Sequence, residues 1–308
     1  LLSRGLGDVY KRQISVIWLR ILFMKITDNL TNDISNAPDW FLKAINEIGI
    51  ENTIEDNKGK ISYSEWSAKS NTENLIIFIH GTGAHKKWWD PIAPSFTDFS
   101  NVIAIDLPGM GDSSFRQKYS IKDFGKCVIK IIEEQKNKRR ISNVYIVGHS
   151  LGGQVAAYVA SEKKDLITKL VMIDTFIRPP DYNPDEHQGG PLRKIKYYPD
   201  KNTILKRFRL MPSQECLNEW FLRYIAEYSV KDTEKGWRWK FDDNMFNSLE
   251  RLFGYKFSFS CPALFIHGSD SLLMSGNILK NIKLMLSLIH ISEPTRQEAI
   301  SYAVFCLK

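Results

Sequence analysis

Cysteine is scarce. Four residues in 308, Cys127, Cys216, Cys261 and Cys306, lie far apart with no C-x-x-C pair. That excludes a disulfide scaffold and a cysteine-rich zinc site, and it suits a reducing compartment such as the cytoplasm. Long apolar runs are also missing. The stretch at residues 14–24 is interrupted by Arg20 and falls short of the about eighteen residues that a membrane span requires. A basic segment precedes it, as in a signal peptide, but no small-x-small cleavage site follows. There are no internal repeats, no H-E-x-x-H and no phosphate-cradling glycine loop, so neither metal nor cofactor is implied. Charge of one sign is not concentrated either. Lys plus Arg is 42 against 35 Asp plus Glu, a formal net charge of +7. The densest basic run, residues 136–140, is short, whereas a nucleic-acid groove would gather its cations. The excess reads as a solvated surface, and a small molecule is the expected partner rather than nucleic acid or a membrane. Oligomeric state is not legible.

What remains is ordinary globular composition, 43% hydrophobic and 25% charged, enough for one large domain or two small ones. Residues 39–48 have a helical period, and residues 60–67 alternate as a strand does. Five short apolar runs follow, at 75–79, 102–105, 144–147, 170–173 and 263–266. Each ends in a turn, and helical segments at 121–134 and 152–161 separate several of them. Strands apolar on both faces and alternating with helices predict an α/β fold with a mostly parallel sheet. Between residues 176 and 258 the alternation stops. That stretch is rich in aromatics, among them Trp220, Trp237 and Trp239. It is too long and too apolar for a loop, which predicts an inserted helical cap.

One motif carries chemistry. Gly148-His149-Ser150-Leu151-Gly152 is a G-x-S-x-G between an apolar strand and a helical segment. The flanking glycines let strand and helix close on each other, and the serine hydroxyl is left exposed at the sheet edge. A second, His80-Gly81-Thr82-Gly83, follows an earlier strand. An acyl carbon under attack places negative charge on oxygen, and backbone N–H groups stabilise it. Leu151 and Thr82 are the expected donors.

With these two motifs, residues 59–284 resemble the α/β-hydrolase superfamily. The segments Trp88-Trp89-Asp90-Pro and Asp106-Leu-Pro-Gly109-Met-Gly111-Asp112-Ser113 are similar to loops of capped, esterase-like members. The resemblance implies a serine hydrolase acting on an ester-like bond of a small, partly apolar substrate through an acyl-enzyme. A carbon–carbon bond hydrolase and a non-catalytic ligand-binding protein on the same fold stay open. His149, Trp88 and Trp237 are expected at the substrate pocket. The implied order is serine, acid, histidine. Asp174 ends one strand and Asp270 follows a later one; Asp174 is preferred, because Asp270 falls one residue early for the common Gly-x-x-Asp spacing. The base is harder to place. His80, His85, His149, His187 and His267 precede the expected position, and His290 lies in a stretch without a strand–loop pattern.

Both ends look foreign. Residues 1–13 and the tail 286–308 resemble translated adapter sequence, and residues 14–23 read as upstream translation before a start at Met24; with 1–23 a non-native or disordered leader, this leaves residues 24–175 and 259–285 as the hydrolase core and 176–258 as the cap. On that reading the chain is truncated before its native histidine and is inactive. Its last core strand exposes an unpaired edge, residues from 286 pack poorly, and His290 does not reach Ser150.

Overall fold

The computed structural model describes residues 34–177, 195–210, 216, 218–268, 271 and 282, and the backbone of 289–293. The foreign-looking leader, His187, Asp270 and most of the tail therefore lie outside the described residues. One mixed sheet dominates. Its strands are β1 (Ile50–Asp56), β2 (Gly59–Trp66), β3 (Asn74–Ile79), β4 (Asn101–Ile105), β5 (Asn143–His149), β6 (Lys169–Ile173), β7 (Ala263–Gly268) and β8 (Ile289–Glu293). They lie in the order β1-β2-β4-β3-β5-β6-β7-β8. The β1–β2 and β2–β4 pairings are antiparallel; the others are parallel. This is the mostly parallel α/β sheet that the apolar runs predict.

Alternation along each central strand sorts the core into two layers. Leu75, Ile77 and Ile79 of β3, with Ile103, Ile105, Val144 and Ile146, pack on one face. Against them lie helix α2 (Ile121–Lys138) and helix α3 (Leu151–Glu162), through Phe124, Val128, Ile131, Val155 and Val159. Ile76, Phe78, Val102, Ala104, Val147 and Ile173 point to the opposite face, where Trp89, Ile92 and Ala93 cover them. Strands buried on both sides carry apolar residues at every position, which is why they read as continuous runs. Helix α2 starts where Ser120 accepts a hydrogen bond from the Asp123 N–H (3.0 Å), an N-cap. Helix α3 is buried almost all round; its small residues, Gly152, Gly153, Ala156 and Ala157, let it press onto the sheet.

The open edge expected after β7 is not found. Residues 289–293 pair with β7 in register from Leu264↔Ile289 to Gly268↔Glu293. The sequence Ile-His-Ile-Ser alternates apolar and polar residues with β-branched isoleucines, a pattern suited to an edge strand and passed over in the sequence reading. His290 stands inside this strand, opposite Phe265, rather than in a loop beyond one.

A short helix α1 (Asp39–Asn46) precedes the sheet. The described part of residues 176–258 holds three helices, α4 (Lys201–Leu205), α5 (Glu219–Tyr228) and α6 (Asp243–Ser248). It also holds a two-residue ribbon, Val230–Lys231 with Arg238–Trp239. Polar links tie it to the sheet loops. The Tyr119 hydroxyl donates to Asp242 Oδ2 (2.5 Å), the Asp242 N–H donates to the Gly109 carbonyl (2.7 Å), and the Tyr224 hydroxyl donates to Asp90 Oδ2 (2.7 Å). No described helix is long and apolar enough to cross a membrane.

Candidate active site

Parallel strands place their carboxyl ends on one edge of the sheet, the usual seat of a site in this architecture. Here β3 delivers His80-Gly81-Thr82-Gly83, β5 delivers Ser150, β6 delivers Asp174, and β7 delivers His267 and Gly268.

Ser150 occupies a tight turn between β5 and α3, at φ 52° and ψ −115°. That is the first central position of a type II′ turn, normally a glycine conformation. Strain of this kind persists only where the surroundings over-determine it. They do so here: the Ser150 N–H donates to the Ile173 carbonyl (2.9 Å), and its own carbonyl accepts from the Gly153 N–H (3.0 Å). A Cβ on Gly152 would lie 2.3 Å from the Ile79 carbonyl oxygen, so only glycine lets the helix sit this close to β3. A Cβ on Gly81 would lie 2.9 Å from His149 Nδ1 and 3.3 Å from Ser150 Cβ. The His-Gly-Thr-Gly loop thus lies directly against the serine turn. Ser150 Oγ hydrogen-bonds to no described residue. The N–H groups of Thr82 and Leu151 likewise donate to no described residue, whereas the next amide along, Gly83, donates to Met110 Sδ (3.2 Å).

Asp174 follows Ile173, so one backbone bond links its strand to the Ser150 amide, and its own N–H donates to the Ile266 carbonyl (2.8 Å). It has φ 45°. Its side chain is buried, and neither carboxylate oxygen makes a hydrogen bond of ordinary geometry among the described residues. Burial pushes its pKa up to about 6, although the Ser271 hydroxyl and the His267 imidazole pull the other way. A buried carboxylate without an ordinary partner is costly. Such a group, one backbone bond from the Ser150 turn, is a candidate for a functional role.

The histidines divide by what their nitrogens do. The Leu107 N–H donates to His80 Nε2 (3.1 Å), so the proton is on Nδ1, which donates to the Gly81 carbonyl (2.7 Å). Both nitrogens hold backbone, and burial keeps His80 below its ordinary pKa. His85 Nε2 lies 2.9 Å from Ser229 Oγ. That hydroxyl already donates to the Ile225 carbonyl (2.8 Å), so His85 is the donor. Burial holds its pKa well below the ordinary value. Burial, with the nearby His80, pushes His149 down to about 4. His267 Nδ1 lies 2.9 Å from the Gly268 carbonyl. Among the described residues no His, Cys, Asp or Glu side chains converge as metal ligands.

The expected pocket residues separate. His149 adjoins Ser150. Trp88 packs with Phe41, Phe221 and Tyr224, and Trp237 joins a cluster with Ile204, Leu205 and Val230 while bridging to Tyr198. What sequence reasoning missed is Lys86, a lysine 1% exposed beside the Thr82 loop. Its neighbours are brought together only by the fold.

Comparison with known proteins agrees with this geometry. The sequence model of a family described as alpha/beta hydrolase fold matches residues 74–284. A pimeloyl-[acyl-carrier protein] methyl ester esterase of Neisseria meningitidis serogroup C is 33% identical over 103 residues, 33% of this chain and 37% of that protein. The match thus spans just over a third of the curated relative's length. Among solved structures, a thioesterase domain from the curacin biosynthetic pathway superposes with a TM-score of 0.68 at 21% identity, covering 84% of this chain and 97% of the other. An esterase from Mycobacterium tuberculosis does so with a TM-score of 0.60 at 18% identity, covering 88% and 96%. With the family match running from β3 past β7 and taking in both the Thr82 loop and the Ser150 turn, the chain belongs to the α/β-hydrolase family.

Proposed function

We propose that this site is that of a serine hydrolase cleaving an ester-like bond of a small, partly apolar substrate. The observation that carries the reading is Ser150, held in a glycine-like turn with two uncommitted N–H groups beside it. In this reaction Ser150 Oγ attacks the acyl carbon. Its proton passes to an imidazole, and the carbonyl oxygen, now an oxyanion, takes hydrogen bonds from the Thr82 and Leu151 N–H groups. Collapse of the tetrahedral intermediate expels the alcohol, which takes the proton from the imidazolium and leaves an acyl-enzyme. Water, deprotonated by the same imidazole, then releases the acid and restores the serine. Asp174 is the carboxylate that would orient the imidazole. Its burial beside the Ser150 turn supports it over Asp270, which lies outside the described residues.

The reading assigns the base to none of the described histidine side chains. His80 and His85 are committed elsewhere, and the backbone of His290 lies within β8. Without a base a serine hydroxyl is a weak nucleophile, so the rate at which the chain turns over simple esters reads whether any of its histidines serves Ser150. A second reading, a non-catalytic ligand-binding protein, is favoured by a different observation: none of the described histidine side chains is assigned as a base. One experiment separates them. A fluorophosphonate probe should label Ser150 slowly, and added imidazole, able to take the serine proton, should accelerate labelling. Ser150→Ala should abolish it. Labelling that survives Ser150→Ala removes the nucleophile. Absence of labelling even with imidazole favours the binding protein. Ester turnover that His290→Ala abolishes would show that the base is present after all.

A further inference from the structure

The loop that carries Thr82 runs directly into two side chains that reach past it. His85 donates to Ser229 Oγ, at the end of α5. Lys86, the next residue, is buried. Its N–H donates to Asp106 Oδ1 (2.6 Å), and its ammonium reaches Asp106 Oδ2 (2.8 Å), Asp112 Oδ2 (2.9 Å), Ser62 Oγ (3.1 Å) and Glu51 Oε2 (3.2 Å). A lysine is almost never this buried unless paired. Here burial opposes its charge, but the three carboxylates outweigh burial and raise its pKa above the ordinary value.

One of those carboxylates has a second duty. Asp112 Oδ1 lies 2.7 Å from the ammonium of Lys240, just beyond the ribbon of residues 230–239. The Lys240 N–H donates to the Ser229 carbonyl (2.8 Å), and Ser229 is the residue that receives His85. The contacts therefore close a circuit: Lys86 to Asp112, Asp112 to Lys240, Lys240 to Ser229, Ser229 to His85, and back along the chain to Lys86. Burial opposes the charge on Asp112 as well, but Lys86 and Lys240 outweigh it and hold the carboxyl well below the usual range. Both carboxylate oxygens are thus engaged by cations from two different parts of the molecule. Lys86 keeps Asp106 and Glu51 if the bond to Lys240 is lost, so the buried charge stays compensated. What is lost is the tie between the ribbon and the loop.

We propose that Asp112 is a positioning residue: shared between Lys86 and Lys240, it couples the seating of residues 229–242 to the loop that presents the Thr82 N–H. The functional half of this rests on the reading of Thr82 as an oxyanion donor; the coupling itself does not. Removing Lys240 should therefore loosen a loop that Lys240 does not touch.

Hydrogen exchange on the full chain tests it. Lys240→Gln should speed amide exchange about threefold to tenfold both in peptides covering 229–242 and in those covering 80–90, a change expected of losing one partly exposed ion pair. Asp112→Asn should do the same, and the double variant should exceed neither single variant by much, since one circuit is broken in each case. Lys240→Arg should restore slow exchange in both segments. Exchange that rises only in 229–242, or effects of the two substitutions that simply add, overturns the coupling. Should Asp112→Asn fail to fold, Lys240→Gln and Lys240→Arg decide alone. A second measurement, the imidazole-assisted labelling of Ser150, should slow in Lys240→Gln by a similar factor. If the unaltered chain shows no labelling at Ser150, the functional reading fails while the exchange result still decides the coupling.

Discussion

Substituting alanine at Gly152 and at Gly153 should separate two kinds of crowding at the Ser150 turn. A Cβ on Gly152 would lie 2.3 Å from the Ile79 carbonyl oxygen and 2.6 Å from that of His80. That is roughly 1 Å inside comfortable contact, and both obstacles are backbone in β3 and the loop after it. The only relief is for α3 to back away from the sheet, loosening its contacts with the core cluster around Ile77 and Ile146. Overpacking costs about 1–3 kcal/mol and occasionally more; with immovable backbone on the far side the upper end applies. Alanine returns roughly 1 kcal/mol in helix propensity. The net expectation for Gly152→Ala is a loss of about 2–3 kcal/mol.

At Gly153 the clash is with a side chain. The added Cβ would meet Thr175 Oγ1 at 1.8 Å and Cγ2 at 2.9 Å. Thr175 is fully buried, so it has little room to rotate, and the single substitution should cost a similar amount. Thr175→Ala deletes both offending atoms, leaving its Cβ at 2.8 Å. The pair Gly153→Ala with Thr175→Ala should therefore regain at least half of the loss, while Thr175→Ala should do nothing for Gly152→Ala. Urea unfolding followed by tryptophan fluorescence reads both, through the midpoint at constant slope. The reasoning is refuted if Gly152→Ala costs less than about 1 kcal/mol, or if Thr175→Ala rescues both variants equally.

The turn's strain predicts that Ser150→Gly is more stable than the parent by about 1 kcal/mol while losing all labelling; a destabilised variant would show the conformation to be unstrained. Asp174 has a folded pKa of about 6, above its value of about 3.9 in the unfolded chain. The folded state therefore binds the proton more tightly, and this group's contribution is fully present below about pH 4 and lost as pH rises through 6. Asp174→Asn removes the titration, so between pH 4 and pH 7 the parent should lose about 2–3 kcal/mol more unfolding free energy than the variant. Parallel pH profiles for the two would contradict the raised pKa. Asp90 is buried, its pKa pushed up to about 6 by burial against the pull of Lys87 and Tyr224. Tyr224→Phe leaves its carboxylate without that donor and should cost about 1–3 kcal/mol by thermal or urea unfolding at pH 7; no loss would mean that water replaces the hydroxyl.

The central strands were legible because each is buried on two faces, so Leu75 through Ile79 or Val102 through Ile105 is apolar at every position. The edges were not. In β1 only Ile54 is buried, and Ile50–Asp56 is otherwise polar enough to read as a loop. In β8 a run of five residues carries too little pattern to stand out beside tail sequence that looks foreign. The segment after Phe176 is a different case. Its aromatics recur at helical spacing, but they answer to several partners. Trp220 packs on Phe41 of α1 at 4.4 Å between ring centroids, and Trp239 stacks parallel to Phe241. Spacing reports the existence of a packed face without saying what it packs on.

At the candidate site the same division holds between what is local and what is not. Gly148 to Gly152 and His80 to Gly83 are legible because a tight turn and a close approach demand glycine at fixed offsets, whatever surrounds them. The choice between Asp174 and Asp270 depends instead on which carboxylate the neighbouring strands enclose. Asp174 sits where Ile173 pairs with Ile266 on one side and bonds the Ser150 amide on the other, an environment set by three strands far apart in sequence. Lys86 shows the limit most clearly. As one of two adjacent lysines in a polar loop it reads as solvated surface, yet Asp106 and Asp112 converge on it from the segment after β4, and Glu51 from β1. Nothing in the sequence says that these carboxylates meet at Lys86. Together they hold the buried Lys86 and so fix the loop that precedes the first tryptophan pair, and through Lys240 Asp112 reaches the far segment. The Ser150 turn announces itself by its neighbours in sequence; the groups around Lys86 that brace the Thr82 loop are neighbours only in space.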